Sequence, residues 1–199
     1  MEIIKTDFDG LLILQAVNFQ DNRGGFQKLF NFDFFAENGL DTGFKEFYYS
    51  VNKKGVRRGM HFQIPPHDHT KVVYCSKGRI LDVCVDIRKN SKTYGKCFSI
   101  ELDDQKAQYL YIPKGFAHGF LVLSDVAEFC YKVTDFYHPG DEGGLAWNDP
   151  SIGIEWPELT GTYNGSASDE GYALSDGTKL NLSDKDKLWD TLENTFKFN

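Results

Sequence analysis

The chain has no apolar run of about 18 residues, which is close to the length that a membrane-spanning helix needs. Its amino terminus also lacks a basic stretch followed by a long apolar one, the pattern of a secretory signal. From these two absences we expect a soluble, cytoplasmic protein with no membrane partner.

Positive charge is scarce as well. The 199 residues include 22 Lys and Arg against 29 Asp and Glu, which gives a formal net charge of −7 at pH 7. A nucleic-acid backbone would be repelled by this charge overall. We therefore expect no nucleic-acid partner.

Paired cysteines are absent. Cys75, Cys84, Cys97 and Cys130 stand singly, with no CxxC motif. Isolated cysteines in strand-like segments are typical of small buried hydrophobic residues rather than of metal or disulfide chemistry. The pattern indicates a reducing compartment.

Helical periodicity is rare, and alternation of apolar and polar residues is common. Gly-, Asn-, Asp- and Lys-rich turns separate the alternating stretches, which favours an all-β sandwich, jelly roll or barrel over an α/β fold. Ten strands are predicted, at Leu11 to Gln15, Phe26 to Phe30, Phe47 to Val51, Val56 to Gln63, Lys71 to Ser76, Arg79 to Arg88, Lys96 to Leu102, Tyr109 to Ile112, Phe120 to Leu123 and Ala127 to Thr134. In the longest, the alternation of Leu81, Val83, Val85 and Ile87 with polar residues predicts a half-buried strand.

Two helices and one insert complete the predicted organisation. The first helix covers Phe32 to Asn38, and the second covers residues 183–198, with Trp189, Leu192 and Phe196 on one face. Between them, residues 160–180 are rich in Gly, Ser and Asp and predict a mobile insert. The length suits a single domain spanning residues 1–199.

Two histidine-containing segments indicate a functional pocket. His61 lies within Gly55 to Pro66, and His118 lies within Ile112 to Phe120; glycines beside each allow close approach of a ligand or of backbone. In Ala127 to Thr134, alternation places Tyr131 on the same face as two apolar neighbours. We expect these segments to form three walls of one pocket.

The order of several motifs resembles the dTDP-4-dehydrorhamnose 3,5-epimerase family over roughly residues 2 to 157, with a further short piece near residues 182–187. The resemblance implies a cupin-type jelly roll, a homodimer, no metal and no organic cofactor, and a nucleotide-linked 4-keto-6-deoxyhexose as substrate. Whether C3, C5 or both are inverted, or the ketone is isomerised, stays open. The motifs are Asp21-Asn22-Arg23-Gly24, Gly55 to Gln63, Lys71-Val72-Val73, Asp82 to Lys89, Ile112 to Phe120, Tyr131 to Tyr137 and Trp147-Asn148-Asp149-Pro150.

Such a substrate needs three catalytic groups. Removal of a proton beside a ketone requires a base, a cation or donor for the enolate oxygen, and an acid on the opposite face. Imidazole titrates near neutral pH, and the resemblance assigns the base to His61, the cation to Lys71 and the acid to Tyr131. It also pairs the base with Asp186, although Ser183-x-x-Asp186 equally fits a helix capping box. Both roles of Asp186 stay open.

The diphosphate is expected to bind Arg23, Arg58 and His118, since planar guanidinium groups suit paired oxygens. Strict alternation, however, places Arg58 on the strand face opposite His61. A bulge at Gly59 would bring both side chains to one face.

The nucleotide pocket departs from the family pattern. The resemblance implies that Phe26 and Tyr137 contact the substrate, and that Lys28, Glu46 and Tyr48 stand where the family usually has Glu, Gln and Asn. Lys28 offers no acceptor for the N3–H group of thymine, whereas Glu46 suits an amino group of cytosine or guanine. The sequence therefore predicts that dTDP is not the preferred nucleotide.

Two other functions are compatible with parts of the sequence. A metal-dependent cupin would use His67, His69 and His118, but residues 70–73 lack the expected glutamate and include Lys71, which would oppose a cation. A non-catalytic sugar-nucleotide binding module would need the arginines without the base and acid. The chain keeps both of those groups, which disfavours the binding-only function.

Overall fold

Two antiparallel sheets pack face to face in the computed structural model, which describes all residues, 1–199. The six-stranded sheet has the spatial order β1 (Glu2–Lys5), β2 (Leu12–Gln15), β10 (Gln108–Ile112), β7 (Lys71–Lys77), β12 (Val126–Val133) and β5 (Glu46–Lys53). The five-stranded sheet has the order β13 (Glu142–Gly144), β6 (Arg57–Gln63), β11 (Phe116–Val122), β8 (Arg79–Asp86) and β9 (Cys97–Asp103). Two hairpins lie outside these sheets, namely β3 (Val17–Asp21) with β4 (Gly24–Lys28) and β14 (Leu159–Thr160) with β15 (Ala173–Leu174).

This architecture confirms the predicted all-β, cupin-type jelly roll. All ten predicted strands are present with shifted ends, and the short strands β1, β3, β13, β14 and β15 were not predicted. The predicted first helix is present as α1 (Phe32–Glu37), whose first turn is capped by the Asn31 side chain accepting from the backbone N–H of Phe34 at 2.8 Å. Helices of membrane-spanning length and hydrophobicity are absent.

The core between the sheets is built from apolar side chains that both sheets direct inward. Val73 and Phe129 of the six-stranded sheet pack with Cys84 and Phe120 of the five-stranded sheet. The Phe120 and Phe129 rings lie 4.6 Å apart between centroids. Each such side chain contributes about 1.5–3 kcal/mol on burial, so this layer holds the two walls of the pocket at a fixed separation.

A second core covers the outer face of the five-stranded sheet, where Val83 and Val85 pack with Trp147 and Tyr172. Strand β8 is therefore buried on both faces, and the prediction of a half-buried strand is wrong. The polar residues of β8 point into the protein and find hydrogen-bond partners there, as Asp82 does with His118. The polar positions of the alternating pattern therefore do not face solvent.

The prediction of a helix over residues 183–198 is also wrong. Only a single 3₁₀ turn forms, over Asp186–Leu188, and the rest of the segment is irregular. The three apolar residues contact separate regions: Trp189 packs over Gly144, Leu192 approaches Gly95, and Phe196 packs against Phe62. Tertiary contacts thus override a periodicity that indicated a helix.

Residues 160–180 contribute to the fold rather than only linking elements. They include strand β15, and Tyr172 and Leu174 are buried in the outer core. Tyr172 packs edge-on against Trp147 at 4.8 Å between ring centroids. The predicted mobility of this segment stays a prediction.

Candidate active site

A cavity of about 430 Å³ is lined by residues of both sheets. Strands β5, β7 and β12 supply one wall, and β6 and β11 supply the other. Eight of the predicted catalytic and substrate-binding residues line it, so the three predicted walls do meet. These residues are Glu46, Tyr48, Arg58, His61, Lys71, His118, Tyr131 and Tyr137.

A bulge in β6 brings Arg58 and His61 to the same cavity. His61 lies opposite His118 of β11, and Arg58 lies opposite Phe120. Gly59 and Met60 of β6 therefore face the single residue Gly119 of β11, which is the bulge. Gly59 within the bulge has φ +98°, and a Cβ atom there would lie 2.4 Å from the carbonyl oxygen of His118. Only glycine fits this position, and the bulge expected at Gly59 is confirmed.

His61 is held by a buried carboxylate. Its Nε2 lies 2.5 Å from Oδ1 of Asp186, whose side chain is 2% exposed. Burial alone raises the pKa of Asp186, but the hydrogen bond and charge of His61 and the charge of Arg57 outweigh it and keep that pKa below its usual range. The ionised carboxylate accepts from Nε2–H, which leaves Nδ1 as the unprotonated nitrogen.

Burial lowers the pKa of His61, and the hydrogen bond and charge of Asp186 only partly oppose this effect. The imidazole is therefore neutral at pH 7, as a base must be. Asp186 also receives the backbone N–H of Gly59 at 3.3 Å, and its own N–H donates to Ser183 at 3.2 Å. Of the two roles left open for Asp186, the pairing with His61 is present. The capping box is only half formed, because the Ser183 hydroxyl accepts from the Asp186 N–H while the Asp186 carboxylate bonds to His61 and Gly59 instead.

Trp189 packs against His61 and Asp186 without lining the cavity. Its Nε1–H donates to Asp186 at 3.3 Å, and its ring stands edge-on to His61 at 6.0 Å between centroids. The indole lies directly on Gly144, the residue paired with His61 across β13 and β6. A Cβ atom at Gly144 would lie 2.1 Å from the indole, so glycine is needed for this packing.

Glu142 and Lys185 line the cavity and were not found from the sequence. Glu142 Oε1 lies 3.7 Å from Nδ1 of His61, while its Oε2 accepts from Lys185 at 2.6 Å and from Tyr137 at 2.8 Å. Burial raises the pKa of Glu142, but the Lys185 hydrogen bond and the nearby charges lower it below its ordinary value. The run Pro139-Gly140-Asp141-Glu142-Gly143-Gly144 was the available signal, since it places a carboxylate directly after a turn.

Lys71 supplies a cation to the cavity. Its ammonium nitrogen lies 3.5 Å from the carbonyl oxygen of His61. Burial lowers the pKa of Lys71, and the nearby Cys84, Glu142 and Asp82 raise it only in part. A cation in such a low-dielectric site interacts with developing negative charge far more strongly than it would in water.

Tyr131 and Tyr48 form a stacked pair on the six-stranded sheet, with ring centroids 5.0 Å apart and planes inclined by 18°. Burial, with contributions from Tyr48 and Asp82, raises the pKa of Tyr131 well above its ordinary value. Burial also raises the pKa of Tyr48 to about 12. Both phenols therefore keep their protons at neutral pH and can donate them.

Polar partners fix the orientation of the two remaining basic side chains. Nε2 of His118 faces both oxygens of the buried Asp82, at 2.9 and 3.1 Å. The Nε–H of the exposed Arg58 donates to Asn52 at 2.8 Å, which leaves its terminal nitrogens available to a ligand. This arrangement suits recognition of paired anionic oxygens.

Three predicted binding residues lie away from the cavity of their own chain. Arg23, Phe26 and Lys28 are exposed on the β3–β4 hairpin and are absent from the cavity lining. Arg23 pairs instead with Asp21 at 2.5 Å. Within one chain these three residues do not line the pocket that contains His61, and their part in substrate binding stays a prediction.

The alternative metal-ligand set is not brought together either. His118 groups with Asp82 and Cys84, whereas His67 groups with Asp135 and His138. His69, a third member of that set, faces the carbonyl oxygen of His67 at 3.1 Å through Nδ1. The ligand set of His67, His69 and His118 that a metal-dependent cupin would use is thus wrong.

Comparisons with known proteins give consistent results. The sequence profile of the dTDP-4-dehydrorhamnose 3,5-epimerase family matches residues 5–194. The dTDP-4-dehydrorhamnose 3,5-epimerase of Escherichia coli (strain K12) is 42% identical over 183 residues, covering 92% of this chain and 99% of the relative.

Solved structures show the same likeness. The structure of dTDP-6-deoxy-D-glucose-3,5-epimerase from Legionella pneumophila Philadelphia 1, in complex with dTDP-4-keto-L-rhamnose, is 36% identical with a TM-score of 0.84, covering 97% of this chain and 93% of that one. A 3'-monoepimerase from Streptomyces bikiniensis in complex with dTDP-quinovose is 28% identical with a TM-score of 0.80, covering 94% and 86%. The likeness extends over nearly the whole chain in both cases.

Proposed function

Because this chain belongs to the dTDP-4-dehydrorhamnose 3,5-epimerase family, it is a carbohydrate epimerase, and we propose that it inverts C3 and C5 of a nucleotide-linked 4-keto-6-deoxyhexose. The ketone at C4 acidifies the protons on both neighbouring carbons. Each inversion then consists of proton removal, an enolate intermediate and proton return to the opposite face. One base, one cation and one acid suffice for both centres.

The observation that carries this proposal is the contact of 2.5 Å between Nε2 of His61 and Oδ1 of Asp186. Asp186 fixes the ring so that the unprotonated Nδ1 is available to take a proton from substrate carbon. It also stabilises the imidazolium that forms when the proton is taken. His61 is the proposed base, and Asp186 is its positioning residue.

Lys71 is proposed to stabilise the enolate oxygen. The partly buried Lys71 side chain places its ammonium next to the His61 backbone and lines the same cavity, so the ammonium meets negative charge as the base removes the proton. Removal of a single preorganised donor to a developing oxyanion costs about 10²- to 10³-fold in rate.

Tyr131 is proposed as the acid that returns a proton from the opposite face. It stands on β12 of the six-stranded sheet, whereas His61 stands on β6 of the five-stranded sheet, so the two side chains approach a bound sugar from different walls. A phenol with a raised pKa keeps its proton until the enolate demands it.

The diphosphate is proposed to bind Arg58 and His118, and Tyr137 is proposed to contact the nucleotide. Arg58 and Tyr137 reach the cavity from exposed positions, as groups that meet a ligand extending toward solvent would. No residue of the chain is assigned to a catalytic cofactor, because the three catalytic groups complete the proton transfers.

We propose that the enzyme acts as a homodimer. Strand β5 forms an edge of its sheet and exposes Phe47, Tyr49 and Val51. The β3–β4 hairpin exposes Phe19 and Phe26, stacked on each other at 6.5 Å between centroids. An unpaired edge with exposed apolar side chains is a typical surface for association.

A dimer would also account for the β3–β4 hairpin, since Arg23, Phe26 and Lys28 are proposed to reach the cavity of the partner subunit. Sedimentation equilibrium is expected to give twice the chain mass of 22.7 kDa. A monomer mass throughout the micromolar range would contradict this assignment. A cytoplasmic location is proposed as well, supported by four free cysteines of which three are buried.

The function is tested with dTDP-4-keto-6-deoxyglucose in D₂O, followed by proton NMR, because the relatives are named for dTDP-linked sugars. The wild-type protein is expected to introduce deuterium at C3 and C5 and to form the doubly inverted product. His61→Ala is expected to lower both exchanges by about 10²-fold or more. Exchange at the wild-type rate in this variant would exclude His61 as the base, and exchange at one carbon only would show a single epimerase.

A further inference from the structure

A cluster of histidines and aspartates lies beside the cavity but does not line it. His67 stands in the loop between β6 and β7, and Asp135 and His138 stand in the segment between β12 and β13. The two imidazole rings are stacked with centroids 3.3 Å apart and planes inclined by 17°. Nδ1 of His67 lies 3.3 Å from Oδ2 of Asp135, and Nε2 lies 3.7 Å from Oδ2 of Asp141.

The cluster has the ligand types and spacing that a transition-metal ion needs. One ligand atom from each of His67, Asp135 and His138 lies within 4.8 Å of the other two. Bonds of about 2.0–2.2 Å to tetrahedral zinc place neighbouring ligand atoms about 3.3 Å apart. In the stacked arrangement the in-plane lone pairs of the two imidazoles do not converge, so metal binding requires His67 and His138 to rotate out of the stack and toward Asp135.

We propose that His67, Asp135 and His138 bind one divalent transition-metal ion of the zinc type, with water completing its coordination. Asp141 is not a ligand in this proposal, because it lies at Nε2 of His67, whereas Asp135 lies at Nδ1. Two imidazoles with one carboxylate suit zinc, nickel or copper, whereas magnesium and calcium prefer oxygen ligands alone. The proposed metal is not part of the proton-transfer chemistry, since none of its ligands lines the cavity. It also differs from the ligand set of a metal-dependent cupin, because His118 is paired elsewhere.

The charges around the cluster set the expected strength of binding. Asp135 Oδ1 pairs with Lys45 at 2.5 Å, which leaves Oδ2 toward His67. The Lys45 ammonium opposes a second cation at the same place, so affinity below that of a closed structural zinc site is expected.

An ion at this position would tie together two segments that shape the cavity. The loop that carries His67 connects β6, with His61, to the start of β7, with Lys71. The segment that carries His138 contains Tyr137 and leads directly into Glu142. Binding to the folded state alone raises thermal stability with metal concentration. The metal would thus stabilise the cavity wall without entering the reaction.

The test uses the full chain without a histidine tag, stripped with a chelator and then titrated with ZnCl₂ in a calorimeter and in thermal melts. One zinc ion per chain and a melting temperature that rises with zinc are expected, while MgCl₂ has no comparable effect. His67→Gln and His138→Gln are each expected to weaken zinc binding by more than about tenfold and to abolish the rise in melting temperature. Circular dichroism confirms that both variants fold.

Two further variants identify where the zinc binds. His61→Gln is expected to bind zinc as the wild type does, which separates this cluster from the carboxylates around His61. Lys45→Met is expected to tighten binding, because it removes the opposing cation while the ligands stay. Absence of zinc binding by the wild type at millimolar zinc, or unchanged binding in both the His67 and His138 variants, would overturn the proposal.

Discussion

Asp186 lies 2.5 Å from His61 across 125 residues of sequence, and its side chain is almost wholly buried. Such a carboxylate is stable only because several donors converge on it, from the imidazole, the Trp189 indole and the Gly59 backbone. The carboxylate raises the pKa of His61, whereas burial lowers it by more. The balance leaves a neutral imidazole in a fixed orientation.

Asp186→Asn is therefore expected to alter both the rate and the pH dependence. Loss of the carboxylate removes an interaction that raises the His61 pKa, so the acid limb of kcat/KM moves to lower pH. The plateau falls by up to about 10²-fold, because the ring loses its fixed tautomer. Rates of C3 and C5 deuterium exchange between pH 4 and 8 measure both effects. An acid limb that stays in place would show that Asp186 does not set the pKa of His61 and acts only through its contacts with Gly59 and Trp189.

Tyr131→Phe is expected to separate proton exchange from inversion. The phenyl ring keeps its stacking on Tyr48, so the change removes the hydroxyl and little else. His61 would still exchange protons on its own face, while the inverted product falls by about 10²-fold or more. NMR distinguishes washed-in deuterium with retained configuration from inverted product. Equal losses of exchange and inversion, in a variant that binds nucleotide normally by calorimetry, would contradict this division of roles.

The sequence predicted the strands better than the segments that complete the site. Alternation and the turn residues between segments located β6, β7, β11 and β12, which carry most of the cavity wall. The pattern did not show how buried these strands are, since every residue of β11 is buried. Glu142 and Lys185 were not predicted as site residues, because both lie in short or irregular segments whose position depends on distant contacts. The same cause made the predicted carboxyl-terminal helix wrong. The apolar residues Trp189, Leu192 and Phe196 each contact a different part of the five-stranded sheet or its loops, so they do not form one helical face.

Arg57 shows a second limit of alternation. The bulge turns Arg58 into the cavity and leaves Arg57 almost wholly buried, between Trp147 and Trp156 at 5.3 Å from each ring. Burial lowers the pKa of Arg57 to about 9, and its guanidinium donates to the carbonyl oxygen of Gly59 inside the bulge. A buried arginine of this kind cannot be inferred from a strand pattern, because it depends on aromatic residues about 90 to 100 positions away.

Lys71 is expected to set the alkaline limit of activity. Its pKa lies below the ordinary 10.5, so the ammonium loses its proton at a lower pH than an exposed lysine does. The enolate then loses its cation, and kcat falls as the pH rises through that pKa. Lys71→Gln removes the alkaline limb attributable to this group and lowers kcat by about 10²-fold or more. A wild-type alkaline limb that persists unchanged in the variant would assign it to another group.

Glu46 is expected to decide which nucleotide is preferred. It lines the cavity with Tyr48, whereas Lys28 lies on the hairpin outside it. Of the three departures from the family pattern, Glu46 is therefore the charged one that faces the cavity within a single chain. A carboxylate accepts hydrogen bonds from the amino groups of cytosine or guanine but repels the carbonyl oxygens that flank N3–H in thymine. Glu46→Gln supplies a hydrogen-bond donor as well as an acceptor. Because an unpaired buried polar group costs about 1–3 kcal/mol, the variant is expected to gain about tenfold in affinity for dTDP relative to CDP. Calorimetric titration of the wild type and the variant with dTDP, UDP, CDP and GDP measures this shift.

Glu128→Gln serves as the charge-matched control, because Glu128 lies on β12 outside the cavity lining. A clear preference of the wild-type protein for dTDP, unchanged in Glu46→Gln, would show that the partner's hairpin rather than Glu46 recognises the base.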